Sequence, residues 1–285
     1  MRMRAVPPML LVLLVGLAPL PAPWLQVVLT IALAKGFAVL GIVVLLRAGQ
    51  VSFGHAMFFA ASAYTAAFLT RGLGQVDLVL LLLAGFLCSI AFGLVIGAFV
   101  VRYRYIFFGM LNLAFSMVLY SILEKFFYVT GGSDGMRLER PSFFGRVMER
   151  AEFEVAMFYL VLALAVATGW LVHRYFRSPP GQALAAIRSN ETRLEYLGVS
   201  AHGMLLIGYV VSAVLAGLGG TILAVIQGVV TPEFGYWIRS GEFVFIAILG
   251  GTGHVIGAFA GALVYELVRS YAAVFAADIW QLTLG

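Results

Sequence analysis

Apolar residues run along the chain in blocks of about 20, broken by short polar gaps. The blocks fall near 6–22, 25–46, 51–70, 77–101, 105–128, 154–173, 204–228 and 255–275, with a shorter run at 238–250. A helix of about 20 apolar residues matches the thickness of a bilayer's hydrocarbon core. Hydrocarbon offers the backbone no hydrogen-bond partner, so each block is predicted to be helical. The pattern predicts an all-α, polytopic helical membrane protein with about nine transmembrane or partial spans. Residues 1–285 form a single transmembrane domain on this reading, with some segments broken or re-entrant.

Composition strengthens the picture. The chain is 62% hydrophobic and 11% charged, whereas a soluble domain carries about 25% charged residues. Its solvent must be largely lipid bilayer. The net charge of +5 does not call for nucleic acid, because membrane proteins keep Lys and Arg on cytoplasmic loops. The single cysteine, Cys88, lies in an apolar run and reads as a packing residue. At the start, Arg2 and Arg4 precede a short apolar run, as in a signal peptide. Pro19, Pro21 and Pro23 crowd its exit, so the run is read as an uncleaved first span.

Charge in the gaps gives an orientation. With the N-terminus cytoplasmic, the inner segments hold Arg2, Arg4, Arg47, Arg102, Arg104, Arg174, Arg177, Arg188 and Arg193, against Glu191 and Glu195. The outer segments, which hold Arg239 and Glu242 among their charges, are balanced or acidic, and the long loop 129–153 is balanced. The basic residues at each short inner gap fit the positive-inside rule. Gly93-x-x-x-Gly97, Gly257-x-x-x-Gly261 and Gly217-Leu218-Gly219-Gly220 predict close helix contacts.

Two glycine-rich segments interrupt the spans: Gly49 to His55 and Gly250 to Gly257. Broken spans in both halves of a chain point to a transport site built on half-helices, although tight helix connections would look the same. Lys35, His55 and Glu266 fall within or near spans, where ionisable groups are costly and often functional. Lys35 and Glu266 could instead snorkel to an interface. His55 is read as ordering its loop.

The inner loop 174–203 is the most informative stretch. Ser178 can cap a helix with Pro179 in its first turn. Leu184, Ile187, Leu194 and Leu197 then recur at helical spacing, and Ser189-Asn190 divides the segment into two short helices. A cytoplasmic amphipathic helix pair exceeds what a connector needs and suits docking on a partner; lying on the bilayer surface is the plainer alternative. The chain has no phosphate-binding Gly-x-x-x-x-Gly-Lys loop, zinc helix or nucleophile elbow. No catalytic residue, metal ligand or cofactor is therefore assigned, and the chain reads as a non-enzyme.

These residues carry a resemblance. Gly49-Gln50-x-Ser52-x-Gly54-His55, Thr130-Gly131-Gly132-Ser133-Asp134-Gly135, Ser178-Pro179-x-Gly181-x-Ala183-Leu184-x-Ala186-Ile187-Arg188 with Leu197-Gly198, and Leu249-Gly250-Gly251-x-Gly253 occur in this order. They resemble the permeases of branched-chain amino acid ABC importers, of the LivM type, from about residue 30 onward. The resemblance implies a multi-pass permease of the bacterial inner membrane. It would form half of a translocation pathway for branched-chain or related hydrophobic amino acids. The implied partners are a LivH-type permease, two cytoplasmic ATPase subunits and a periplasmic substrate-binding protein.

Gly49, Gln50, Ser52, Gly54, His55, Thr130, Gly131, Gly132 and Ser133 would line the pathway. Gly181, Ala183, Leu184, Ile187, Arg188, Glu191, Glu195 and Gly198 would couple to the ATPase, and loop 129–153 would face the binding protein. The chain departs from the family pattern at Pro180 and Gln182, and lacks a basic residue near Met204-Leu205. Family members usually continue with another span beyond a segment like 279–285. A urea or short-amide permease of the same family, an ATP-independent channel or secondary transporter, and an intramembrane enzyme using His55 are the other readings.

Overall fold

The computed structural model describes residues 15–16 and 24–275. The expected first span at 6–22 and the tail 279–285 lie almost wholly outside the described residues. Ten helices follow in order: α1 (Trp24–Arg47), α2 (His55–Leu73), α3 (Leu78–Val100), α4 (Tyr105–Lys125), the one-turn α5 (Phe127–Thr130), α6 (Arg150–Arg177), α7 (Pro179–Tyr196), α8 (Ala201–Gln227), α9 (Trp237–Gly250) and α10 (Val255–Phe275). Among the described residues, six of them (α1, α3, α4, α6, α8 and α10) are long and apolar enough to cross a membrane. Two short strands, β1 (Met136–Arg137) and β2 (Val229–Val230), pair antiparallel with Met136 opposite Val230. They tie loop 129–153 to the segment after α8.

Burial separates a core from a rim. In their most apolar windows α1 is 83% and α8 72% buried, against 22–28% for α3, α4 and α6. The rim helices turn Leu87, Val95, Ile106, Met110 and Leu171 outward, as lipid-facing helices must. Helix α8 packs on α1, α2 and α3 at once. Its glycine run allows this: a Cβ on Gly217 would overlap Ser89 of α3, one on Gly219 the Ala34 carbonyl of α1, and one on Gly220 the Phe59 carbonyl of α2. Close backbone approach is how membrane helices gain packing without a hydrophobic driving force. Gly93 and Gly97 likewise meet Ala213 and Tyr209 of α8, and Gly257 and Gly261 meet Gly250.

The two ends of the bundle differ. Arg47 donates to the carbonyls of Gly181 (3.1 Å) and Phe176 (3.3 Å). Arg104 pairs with Glu191. These contacts gather the short basic gaps, with α7, at one end, as alternation of spans predicts. At the opposite end the Asp77 carboxylate caps α3 through Val79 N (2.9 Å) and accepts from Gly145 N (2.7 Å). Those bonds hold its carboxyl below the usual carboxylate range.

Two spans are shorter than expected. Residues 51–54 do not join α2, because Gln50 and Ser52 turn their side chains to nearby backbone N–H groups: Tyr105 N donates to Gln50 Oε1 (2.8 Å) and Gly54 N to Ser52 Oγ (3.3 Å). Helix α4 stops at Lys125, where Phe126 leaves helical geometry. The 238–250 run is confirmed as a half-helix. Its 14 residues reach about 21 Å at 1.5 Å per residue, short of a crossing of about 30 Å.

Candidate functional site

The Gly49–His55 segment forms a buried turn inside the bundle. Gln50, Ser52 and His55 are all buried. A Cβ on Gly54 would overlap the Asn112 carbonyl of α4, so α4 can pass only over a glycine. The Ser212 hydroxyl donates to the Gly41 carbonyl (2.6 Å), so His55 Nε2 donates to Ser212 Oγ. Ser240 Oγ from α9 accepts from Ala56 N (2.9 Å), capping α2. His55 Nδ1 is buried with no partner among the described residues.

Thr130 to Ser133 lie at the opposite end. Thr130 Oγ1 donates to the carbonyls of Leu123 and Phe126. Gly131, Gly132 and Gly135 adopt positive φ angles of 76°, 50° and 74°, which other residues rarely tolerate. Thr130 and Gly132 are buried, Gly131 half-buried and Ser133 exposed. The structure does not bring this cluster together with His55.

Helix α7 divides as expected. Asn190 leaves helical geometry (φ −163°, ψ 99°) and its side chain accepts from Arg193 N (2.9 Å), capping the second short helix. Ser178 occupies the capping position, yet its hydroxyl donates back to Tyr175 O (2.6 Å) and caps nothing. Gly181, Ala183, Leu184 and Ile187 are buried against the bundle, Leu184 beside Gly208 of α8. Glu191 receives a bidentate pair from Arg104, at 2.6 and 2.9 Å. Arg188, Glu195 and Gly198 are exposed. Leu197 does not join the apolar face: it is 75% exposed, beside Tyr196 at 87%.

A third cluster joins residues far apart in sequence. Lys35 Nζ contacts Glu242 Oε1 of α9 at 2.6 Å and Glu266 Oε2 of α10 at 2.7 Å. Arg269 lies 3.8 Å from Glu242 and 3.9 Å from Glu266. One turn before Glu242, Arg239 stands over the Phe234 ring at 5.1 Å, with its Nε buried and unpartnered among the described residues. Lys35 sits at the centre of α1, about 16–18 Å from either end at 1.5 Å per residue. Lys35 and Glu266 do not extend along the surface as snorkelling would require: both are buried and paired with each other.

Two cavities flank the core elsewhere. One of about 580 Å³ lies between α1, α6 and α10 at the basic end and is mostly apolar. One of about 300 Å³ at the opposite end is lined in part by Thr30, Arg140, Glu154 and Gln227.

Comparison with known proteins decides the family. The branched-chain amino acid transport system / permease component family matches residues 25–285. The chain belongs to this family. It is 30% identical to the high-affinity branched-chain amino acid transport system permease protein LivM of Salmonella typhimurium, over 78% of this chain and 58% of that protein. LivM of Escherichia coli is 29% identical over the same shares. LivH of Escherichia coli is 26% identical over 42% of this chain and 38% of that one. The chain thus spans a little over half the length of the LivM relatives it matches. No solved structure matches it significantly.

The chain is therefore a multi-pass membrane protein of this family. Sequence reasoning singled out Lys35 and Glu266 separately and passed over Arg239, Glu242 and Arg269 as outer-loop or unassigned charges. One signal was available: a carboxylate in the middle of one apolar run needs a cation in another.

Proposed function

We propose that this permease forms half of the translocation pathway of an ATP-driven importer for branched-chain or related hydrophobic amino acids. It lies in a bacterial inner membrane, with its N-terminus and its basic end in the cytoplasm. A LivH-type permease completes the pathway, two cytoplasmic ATPase subunits drive it, and a periplasmic binding protein delivers substrate to the opposite end. ATP-driven closure of the ATPases would move α7 and rock the bundle between two states.

The observation that carries this reading is the build of α7. Its buried face and the Arg104–Glu191 pair fix it to the bundle, while Tyr196 and Leu197 stand exposed at its tip. A braced helix pair with an apolar tip suits insertion into a groove on a partner. An ATP-independent channel would leave that arrangement unexplained. On this reading Arg188, Glu195 and Gly198 contact the ATPase beside the tip. Gly181, Ala183, Leu184 and Ile187 anchor the helix pair, and Glu191 braces it. Gly49 to His55 hold the broken start of α2, and Thr130 to Ser133 shape the periplasmic rim.

The test is reconstitution of the whole assembly in proteoliposomes. Wild-type protein should show ATP-dependent uptake of labelled leucine. Replacing Tyr196→Ala with Leu197→Ala should lower uptake and substrate-stimulated ATP hydrolysis about tenfold or more, the effect of losing a hot-spot contact. Normal ATP-driven uptake in the double variant would overturn the coupling role. ATP-independent uptake by the wild type would overturn the importer reading itself.

A further inference from the structure

The Lys35 cluster has an inside and an outside. Lys35 and Glu266 are buried, whereas the Arg269 side chain is 39% and the Glu242 side chain 15% exposed. Arg239 is partly exposed, with Trp237 (40%) and Ile238 (57%) beside it. Because α9 begins part-way through the bundle, no helical turn of its own covers this face on the side of the opposite end. Near the start of α9, Tyr236 meets Tyr120 of α4 at 4.9 Å and Trp237 at 6.2 Å, both as tilted ring pairs. Glu233 is exposed above Arg239, within its electrostatic range.

Charges at this depth cannot face hydrocarbon. An ionised group at the bilayer centre must pair or face a water-filled space. Among the described residues Arg269 and Arg239 are only partly covered, which fits a face that opens to an aqueous path. The N-terminal end of α9 also points there, with the positive end of its dipole. The face offers guanidinium groups, a carboxylate and aromatic rings side by side. That set matches the carboxylate, the ammonium and the apolar side chain of an α-amino acid. A neutral amide such as urea would need none of these charges, and the desolvation they cost would bring no gain.

We infer that Arg239, Glu242 and Arg269 form the contact point for the two charged groups of a zwitterionic amino acid midway along the pathway. The inference rests on the transport reading above and names the residues that meet the charges of its substrate. Arg239 binds the carboxylate, since its Nε has no hydrogen-bond partner among the described residues. Glu242 meets the ammonium, and Lys35 with Glu266 holds Glu242 in place from behind.

The test uses the reconstituted assembly with labelled leucine. Arg239→Met should lower uptake about tenfold, the equivalent of one lost charged hydrogen bond. ATP hydrolysis stimulated by the loaded binding protein should persist, and Arg239→Lys should restore part of the uptake. Unchanged uptake in Arg239→Met would overturn the inference. A second measurement does not depend on that variant folding. Ile238→Cys, in a Cys88→Ser background, changes only an exposed side chain at this face. It should react with a charged, membrane-impermeant thiol reagent, and bound substrate should slow the reaction. No reaction would show that the face meets lipid and would overturn the inference, even in an assembly that imports normally. Loss of ATP-dependent uptake in the wild type would instead strike at the importer reading.

Discussion

Two polar clusters lie deep in this bundle, and they are built on opposite principles. Around His55 the groups are neutral or backbone: Ser52, Ser212, Ser240 and the carbonyl of Gly41, each engaged in a hydrogen bond and closed to the surface. Around Lys35 the groups are ionised, five side chains from three helices, and one face is open. A closed neutral network settles backbone geometry where a helix is broken. An open ionic one spends stability on charges that a merely structural role would replace with apolar packing. The contrast assigns scaffolding to the first and traffic to the second, although the first has the more conspicuous sequence motif.

The strongest way to break this comparison is to unbalance the ionic cluster. Lys35→Met leaves Glu242 and Glu266 with only the more distant Arg269 between them. Removing one partner of a buried pair costs about 3–5 kcal/mol, so the variant should fail to assemble or should unfold far earlier in detergent. Adding Glu242→Gln and Glu266→Gln should recover most of that stability, while leucine uptake stays low. Recovery of both stability and uptake would make the cluster a structural latch and erase the contrast.

The scaffold side is tested by Gly54→Ala. The new Cβ meets the Asn112 backbone, which cannot rotate away. Overpacking of this kind costs about 1–3 kcal/mol, and a backbone clash belongs at the upper end. Thermal unfolding of the purified permease should show the loss. Uptake per assembled complex should remain near that of the wild type if the turn holds backbone geometry and does not touch substrate. A well-folded variant with abolished uptake would move the His55 turn into the pathway.

The two clusters also differ in how far the sequence discloses them. The His55 turn is local: Gly49, Gln50, Ser52 and Gly54 stand within six residues, so their glycine and hydroxyl spacing is visible at once. The same holds for the break at Asn190 and for the half-helix at 238–250, both set by nearby residues. The Lys35 cluster draws on positions 35, 239, 242, 266 and 269, and only tertiary packing brings them to one level. Arg239 and Glu242 looked like outer-loop charges because α9 is too short to count as a span. Leu197 fitted the helical spacing of Leu184, Ile187 and Leu194, but the break at Asn190 restarts the helix. The period does not carry across it.

Ser212→Ala should have the smallest effect and is the finest test of the contrast. It removes the hydroxyl that receives the His55 proton and reaches the Gly41 carbonyl. The donor on His55 is then buried without a partner, at a cost of about 1–3 kcal/mol. The loss should lie near the lower end, because alanine leaves only a small gap. His55→Phe in the same background removes that orphaned donor. If the turn is scaffold alone, the double variant should be no less stable than Ser212→Ala, and both should import leucine at wild-type rates per assembled complex. A further fall in uptake with unchanged unfolding would mean that the imidazole does more than hold the turn, because packing and the lost hydrogen bond are already accounted for in the single variant.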